Sequence, residues 1–181
     1  MKPKPIELER IFAAVPRARA AKLRIGVVAA RYNRALADAL LTSTLRILAG
    51  LGARKVEIFR VPGSYEIPVL AARLAQTGRF DALVALGVVL QGGTSHAEHI
   101  AAADAVNLQR IAIETGVPVI HQILTPRTER DARARVCLRG EEAARAAVEM
   151  AQVMKNVKRL VTHKVHGSAV QRFNGSTVGK A

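Results

Sequence analysis

The stretch best suited to chemistry runs from Leu86 to His99. An apolar run there ends in Gly92 and Gly93, and two hydroxyl residues and His96 follow before a helical pattern begins. Glycines let a ligand approach the backbone closely, and free N–H groups at a helix start favour an anion. A histidine at that point can transfer protons near neutral pH. The pattern predicts a phosphate-bearing substrate with acid–base chemistry beside it, and leaves open a plain strand–turn–helix connection capped by Ser95.

The composition is that of a protein with one apolar core. Half of the 181 residues are hydrophobic and only 3% are aromatic, so the core must consist of Ala, Val, Leu and Ile. The single cysteine, Cys137, excludes a disulfide within the chain and favours a reducing compartment. No apolar run approaches the roughly 18 residues that span a bilayer, and no apolar signal core is evident. We therefore expect a cytoplasmic protein without a membrane partner.

The net charge of +14 is concentrated at the two ends of the sequence. Six Lys and Arg residues follow Glu149, the last acidic residue, and the residues before Leu23 carry a net charge of +4. The middle of the chain therefore needs no polyanion to balance it. The basic ends are either solvated or bind a polyanion weakly through counterion release, so nucleic acid is expected only as a weak partner of these ends.

Apolar segments of strand length alternate with segments of helical periodicity. The strands are predicted at 23–30, 56–61, 82–90 and 117–124, with helices between them at 36–48, 67–76 and 97–115. After the fourth strand, Thr128 with Asp131 resembles a capping box that begins a short helix to about Val136, and a final helix begins near Arg139. The alternation predicts an α/β three-layer sandwich around a four-stranded parallel sheet of order 2-1-3-4, a doubly wound, flavodoxin-like fold.

Three regions are predicted along the chain. Residues 23–158 form the domain. Residues 1–22 lack sustained periodicity and are predicted to form an N-terminal arm, with a helical turn near residues 8–14. Residues 159–181 lose the pattern and are predicted to form a basic, flexible tail.

Unusual polar residues follow the predicted strands, at the edge where parallel sheets bind ligands. They are Arg31-Tyr32-Asn33 after the first strand, Pro62–Glu66 after the second, Gln91–His96 after the third, and His121 within the fourth. Each alone has a structural explanation, such as a rim aromatic, a charge at a helix start or a hydrogen-bonded core histidine. Together they predict one pocket.

Other chemistries fit this sequence less well. His96, Glu98 and His99 suggest metal ligands, but the HExxH pattern and an evident third ligand are missing, so no metal is expected. The GxGxxG and Walker A patterns are also missing, so no nucleotide cofactor is expected.

Several separated motifs across residues 23–158 resemble the lumazine synthase family. They are Arg31-Tyr32-Asn33, Val61–Pro68, Ala85–Val89 with the Gly-x-Thr-x-His turn at Gly92–His96, Glu114–Ile120 and Gly140–Ala144. The resemblance implies the cofactor-free condensation of 5-amino-6-(D-ribitylamino)uracil with 3,4-dihydroxy-2-butanone 4-phosphate to 6,7-dimethyl-8-ribityllumazine, in riboflavin biosynthesis. Two alternatives remain open: a non-catalytic, shell-forming or polyanion-binding homologue, and a riboflavin synthase of the lumazine-synthase-like type.

The resemblance also implies roles for the site residues. His96 would transfer protons, and Glu142 would stabilise its charged form. The phosphate would be held by Gly93, Thr94 and Arg135. The residues implied to contact the aminouracil and its ribityl chain are Tyr32, Asn33, Ser64, Tyr65, Glu66, Val88, Val89, Leu90, His121 and Arg139.

Three residues depart from the family's pattern. His121 stands where many members have Phe, Gln91 replaces a common Arg, and Arg139 replaces a common Lys. An imidazole stacks more weakly than a phenyl ring, and a guanidinium keeps the charge of an ammonium but not its geometry. We expect these differences to change affinity and pH optimum rather than the type of reaction.

The resemblance further implies a homopentamer with active sites between neighbouring subunits. One subunit would supply Tyr32, Glu66 and His96, and the next would supply His121, Arg135 and Arg139. The short connection from Arg135 to Arg139 is compatible with twelve pentamers assembling into a shell, and the choice between a separate pentamer and a shell stays open.

Overall fold

A four-stranded parallel sheet forms the centre of the protein, whose computed structural model describes residues 17–166. The strands are β1 (Arg24–Ala30), β2 (Lys55–Val61), β3 (Ala82–Val88) and β4 (Val119–Leu124), and their spatial order is β2-β1-β3-β4. The predicted order is therefore confirmed. β3 is buried along its whole length, as expected of a parallel strand covered on both faces, and this explains its continuous apolar sequence.

Helices cover both faces of the sheet. They are α1 (Arg17–Ala20), α2 (Arg34–Gly50), α3 (Ile67–Gln76), α4 (His96–Thr115) and α5 (Glu129–His166), and a 3₁₀ turn (Ser64–Glu66) precedes α3. α2 and α5 share a hydrophobic cluster with one face of the sheet, whereas α3 and α4 share a second cluster with the other face. This arrangement confirms the three-layer α/β sandwich. Within residues 17–166, no helix is both long enough and apolar enough to cross a membrane.

A single helix follows β4 where the sequence pattern predicts two. The predicted break between Val136 and Arg139 is wrong, because α5 is continuous from Glu129 to His166. Its predicted cap is present: the hydroxyl of Thr128 accepts the backbone N–H of Asp131 at 3.1 Å. Gly140 does not end a helix but lies where α5 crosses α2. A Cβ at this glycine would lie 2.8 Å from the carbonyl oxygen of Leu40.

The close crossing of α2 and α5 predicts that Gly140→Ala destabilises the fold. An added Cβ would meet the Leu40 carbonyl oxygen and, at 2.7 Å, the Cβ of Ser43, and we expect a loss of about 2 kcal/mol in urea denaturation. Gly50→Ala is the matched control, because Gly50 also lies in a helix and its added Cβ would meet nothing within 4 Å. Equal stability of the two variants would contradict this account of the crossing.

Both ends of the described chain are helical and extend beyond the predicted domain limits. Ala20 in α1 is completely buried, and the side chain of Arg17 donates to the carbonyl oxygen of Gly50 at 2.6 Å, so residues 17–22 pack on the domain. At the other end, α5 continues past residue 158 to His166. The helical turn predicted near residues 8–14 and the tail beyond residue 166 lie outside the described residues.

Candidate active site

Backbone hydrogen bonds join the loops that follow the four strands. The N–H of Tyr32 donates to the carbonyl oxygen of Pro62 at 3.0 Å, which joins the loops after β1 and β2. The N–H of Gln91 donates to the carbonyl oxygen of Pro126, also at 3.0 Å, which joins the loops after β3 and β4. The carboxyl edge of the sheet therefore carries the loops as two connected pairs.

Asn33 connects these two pairs. Its backbone is left-handed, with φ 52° and ψ 48°, a conformation that asparagine adopts more readily than most residues. From this position its side-chain amide donates to the carbonyl oxygen of Val88, at the end of β3, with a distance of 2.8 Å. Tyr32 precedes it with 72% of its surface exposed. The loop is thus held by main-chain and amide bonds, while the phenol ring stays available to stack on a flat ligand.

The 3₁₀ turn combines a buried hydroxyl with an exposed carboxylate. Oε2 of Glu66 accepts the backbone N–H of Gly63 at 2.7 Å, which fixes the carboxylate beside its own turn. Ser64 is buried against β3, where a Cβ on Gly87 would collide with its hydroxyl. Tyr65 is exposed. The turn therefore depends on the missing side chain at Gly87 and presents its polar groups at the carboxyl edge.

The segment from Gln91 to His96 is exposed in the single chain. An added Cβ on Gly92 or Gly93 would meet nothing within 4 Å. Ser95 precedes α4 but makes no side-chain capping bond, and its hydroxyl lies 3.5 Å from Nδ1 of His99. Without that cap, the first N–H groups of α4 are available to an anion. Residues 17–166 hold no group of three His, Cys, Asp or Glu side chains placed to bind a metal.

A second set of predicted residues lies on α5, across the sheet from α4. Arg135, Arg139 and Glu142 are exposed there. Nη1 of Arg139 donates to Oε2 of Glu142 at 2.6 Å, and within residues 17–166 no hydrogen bond or ion pair joins Glu142 to His96. A single chain therefore does not bring His96 and the predicted cations and carboxylate of α5 together.

His121 lies in β4, paired in register with Ala85 of β3. It shares the strand face of Ile123, which belongs to the cluster of α3 and α4. Although much of the residue reaches solvent, partial burial lowers the pKa of its imidazole below the usual value, against the smaller opposing effect of a backbone hydrogen bond. At pH 7 the residue therefore presents a neutral, flat ring in place of the phenyl group common in the resembled family.

Asp104 is a polar residue that the sequence analysis missed. It lies on the inner face of α4 with Ala97, Leu108 and Ile111, and only 1% of it is exposed. Neither carboxylate oxygen has a hydrogen-bond partner among the described residues. Burial, with a further contribution from the charge of Glu66, raises the pKa of this carboxyl to about 7. Its helical spacing from the three apolar residues is the sequence signal that could have identified it.

The parallel sheet and its joined polar loops define an α/β protein of the class that binds ligands at the carboxyl edge of its strands. Sequence comparison narrows this class to one family. The profile of 6,7-dimethyl-8-ribityllumazine synthase matches residues 22–155, and the chain belongs to this family.

Individual relatives agree with the profile. The chain is 38% identical over 135 residues to the 6,7-dimethyl-8-ribityllumazine synthase of Azoarcus sp. strain BH72, covering 74% of this chain and 86% of that protein. It is 39% identical over 138 residues to the enzyme of the same name from Xanthomonas oryzae pv. oryzae, covering 73% and 90%. It is 39% identical over 140 residues to the 6,7-dimethyl-8-ribityllumazine synthase of Paraburkholderia phymatum, covering 76% of this chain and 81% of that protein.

Proposed function

We propose that this protein condenses 5-amino-6-(D-ribitylamino)uracil with 3,4-dihydroxy-2-butanone 4-phosphate, releasing 6,7-dimethyl-8-ribityllumazine, phosphate and water. Membership of the family carries this proposal. The structure supports it independently, because the loop with Tyr32, the turn with Glu66 and the segment with His96 all lie at the carboxyl edge of one sheet.

We assign the aminouracil to the part of the carboxyl edge that is formed by the loops after β1 and β2. The exposed ring of Tyr32 stacks on the pyrimidine, and Glu66 with the backbone of its turn accepts and donates hydrogen bonds to the ribityl hydroxyls. The carbonyl oxygen of Val88 is occupied by Asn33, and the N–H of Val89 donates to Leu124 at 2.8 Å. The main-chain groups free for the uracil edge are therefore the carbonyl of Val89 and both groups of Leu90, together with the second lone pair of the Val88 carbonyl oxygen.

The four-carbon phosphate is assigned to the start of α4. Gly93 and Thr94 leave the backbone open there, and the uncapped N–H groups favour an anion. Arg135 on α5 of a neighbouring subunit adds a bidentate guanidinium. His96, two residues after Thr94, transfers protons during imine formation, phosphate elimination and ring closure, and the remaining rate enhancement comes from holding both substrates together.

The site is proposed to be completed by a neighbouring subunit in a homopentamer, which is either separate or one of twelve pentamers in a shell. The support is the position of Arg135, Arg139 and Glu142 on α5, apart from His96 of the same chain. Largely exposed apolar side chains on α3 and α4, including Val69 and Ile113, also favour contact between copies. A cytoplasmic location and weak binding of nucleic acid by the basic ends stay predictions.

A turnover assay tests the proposed function and separates it from the alternatives. With both substrates, the purified protein is expected to form lumazine faster than the spontaneous reaction, as followed by absorbance. With lumazine alone, it is expected to form no riboflavin. Riboflavin from lumazine alone would instead identify a riboflavin synthase, and no rate above background would favour the non-catalytic homologue.

A further inference from the structure

The carboxyl group of Asp104 is buried where α4 packs against the 3₁₀ turn. The residue is 1% exposed, both of its carboxylate oxygens lack partners among the described residues, and α4 contacts the turn that carries Glu66. The other buried residues of this helix are Ala97, Leu108 and Ile111, which are apolar. An apolar side chain at position 104 would avoid the cost of burying a polar group without partners, so the carboxyl is not explained by packing.

The protonation state of the Asp104 carboxyl explains how this group can be buried. An ionised carboxylate without partners is far more costly to bury than a neutral one, so the folded protein holds Asp104 mainly as an uncharged acid below neutral pH. The titratable groups on elements packed against α4 are Tyr65 and Glu66 of the turn, Arg73 of α3 and His121 of β4. Of these, Glu66 is the one whose charge acts on the Asp104 carboxyl, and it does so in the same direction as burial.

We propose that Asp104 is a positioning residue for the aminouracil side of the site: as a neutral acid it lets α4 pack tightly against the turn that holds Glu66, and its ionisation loosens that packing. The ionised form is repelled by the Glu66 carboxylate and gains hydration only if α4 and the turn separate. Such a separation frees the whole turn, including the Glu66 carboxylate and the Gly63 N–H that it accepts, to move at the carboxyl edge. Affinity for the ribityl chain therefore falls as pH rises through the titration of Asp104.

This inference rests on the proposed function, and steady-state kinetics at about pH 6 and about pH 8.5 test it. The aminouracil concentration is varied at saturating butanone phosphate. For the wild type, we expect KM for the aminouracil to rise about fivefold between the two pH values, with kcat changing little from this cause. For Asp104→Asn, a neutral residue of nearly the same shape, KM is expected to equal that of the wild type at the lower pH and to stay within about twofold at the higher pH.

Glu114→Gln is the matched control, because Glu114 also lies on α4 but is exposed in an ion pair with Arg110. This variant is expected to follow the wild-type profile. Superimposed KM profiles for the wild type and Asp104→Asn would overturn the role of Asp104, as would a raised KM of the Asn variant at the lower pH. No wild-type turnover at either pH would instead contradict the proposed function itself.

Infrared titration of the wild type tests the same inference without a variant. A carboxylic-acid C=O band is expected to persist to about pH 7 and then disappear, because ordinary Asp and Glu side chains are already ionised there. Loss of all such absorption below about pH 5.5 would overturn the inference.

Discussion

Replacing His96 by alanine is expected to lower kcat about 100- to 10,000-fold, the range usual for removal of a general acid–base group. His96 is exposed at the start of α4, two residues after the proposed phosphate segment, and its side chain makes no hydrogen bond within residues 17–166. Its removal should therefore leave folding and assembly unchanged. Turnover with both substrates measures the loss, and native mass and circular dichroism of the variant establish that the protein is intact.

His99→Ala is the matched control for His96→Ala. His99 lies one turn further along α4 and is exposed, and within residues 17–166 the one polar contact of its imidazole is the Ser95 hydroxyl, 3.5 Å from Nδ1. We expect this variant to retain kcat within about threefold, because its imidazole has no proposed role in proton transfer. An unchanged rate for His96→Ala, or equal losses for both variants, would remove His96 from the mechanism.

Replacing Gly87 by alanine is expected to raise KM for the aminouracil about tenfold and to destabilise the fold by about 1–3 kcal/mol. The new Cβ would collide with the hydroxyl of Ser64. Because Ser64 begins the turn that ends at Glu66, the collision displaces the proposed ribityl-binding groups and not the residues of α4. Steady-state kinetics and urea denaturation measure the two effects.

Two further variants separate displacement of the turn from general destabilisation. Ser64→Ala combined with Gly87→Ala removes the colliding oxygen and leaves the Cβ of residue 64 at 3.3 Å, so it should recover most of the lost affinity. For Gly26→Ala in β1, the three atoms nearest the new Cβ belong to the side chains of Leu83 and Phe80, and this variant should lower stability without raising KM. A rise in KM for Gly26→Ala, or no recovery in the double variant, would contradict the role given to the turn.

The fold could be predicted from the sequence because its periodicities are simple. Buried parallel strands have continuous apolar sequences, and the segment of β3 is the clearest example. The continuity of α5 could not be predicted in the same way. Glycine is common at the ends of helices, so Gly140 indicates a boundary when only the sequence is considered. The structure instead requires a glycine here because the backbone of Leu40 lies close by, a tertiary contact that no local pattern reveals.

The sequence predicts only part of the candidate site, because some of its features also depend on tertiary contacts. Strand-end residues such as Tyr32 and Glu66 follow from the rule that parallel sheets bind ligands at their carboxyl edge. Asp104 was missed because a helical apolar face with one polar member resembles an ordinary amphipathic helix until its burial is known. The relation of His96 to Glu142 stays a prediction, because the single chain pairs Glu142 with Arg139 and not with His96.

The most direct test of the central claim is the stoichiometry of the reaction catalysed by the purified wild-type protein. Both substrates are supplied, and lumazine and released phosphate are measured together over time. We expect one phosphate to be released for each lumazine formed. The rate of lumazine formation should be proportional to protein concentration and well above that of the spontaneous reaction. Lumazine formation that does not depend on protein concentration, or phosphate release without lumazine, would contradict the central claim.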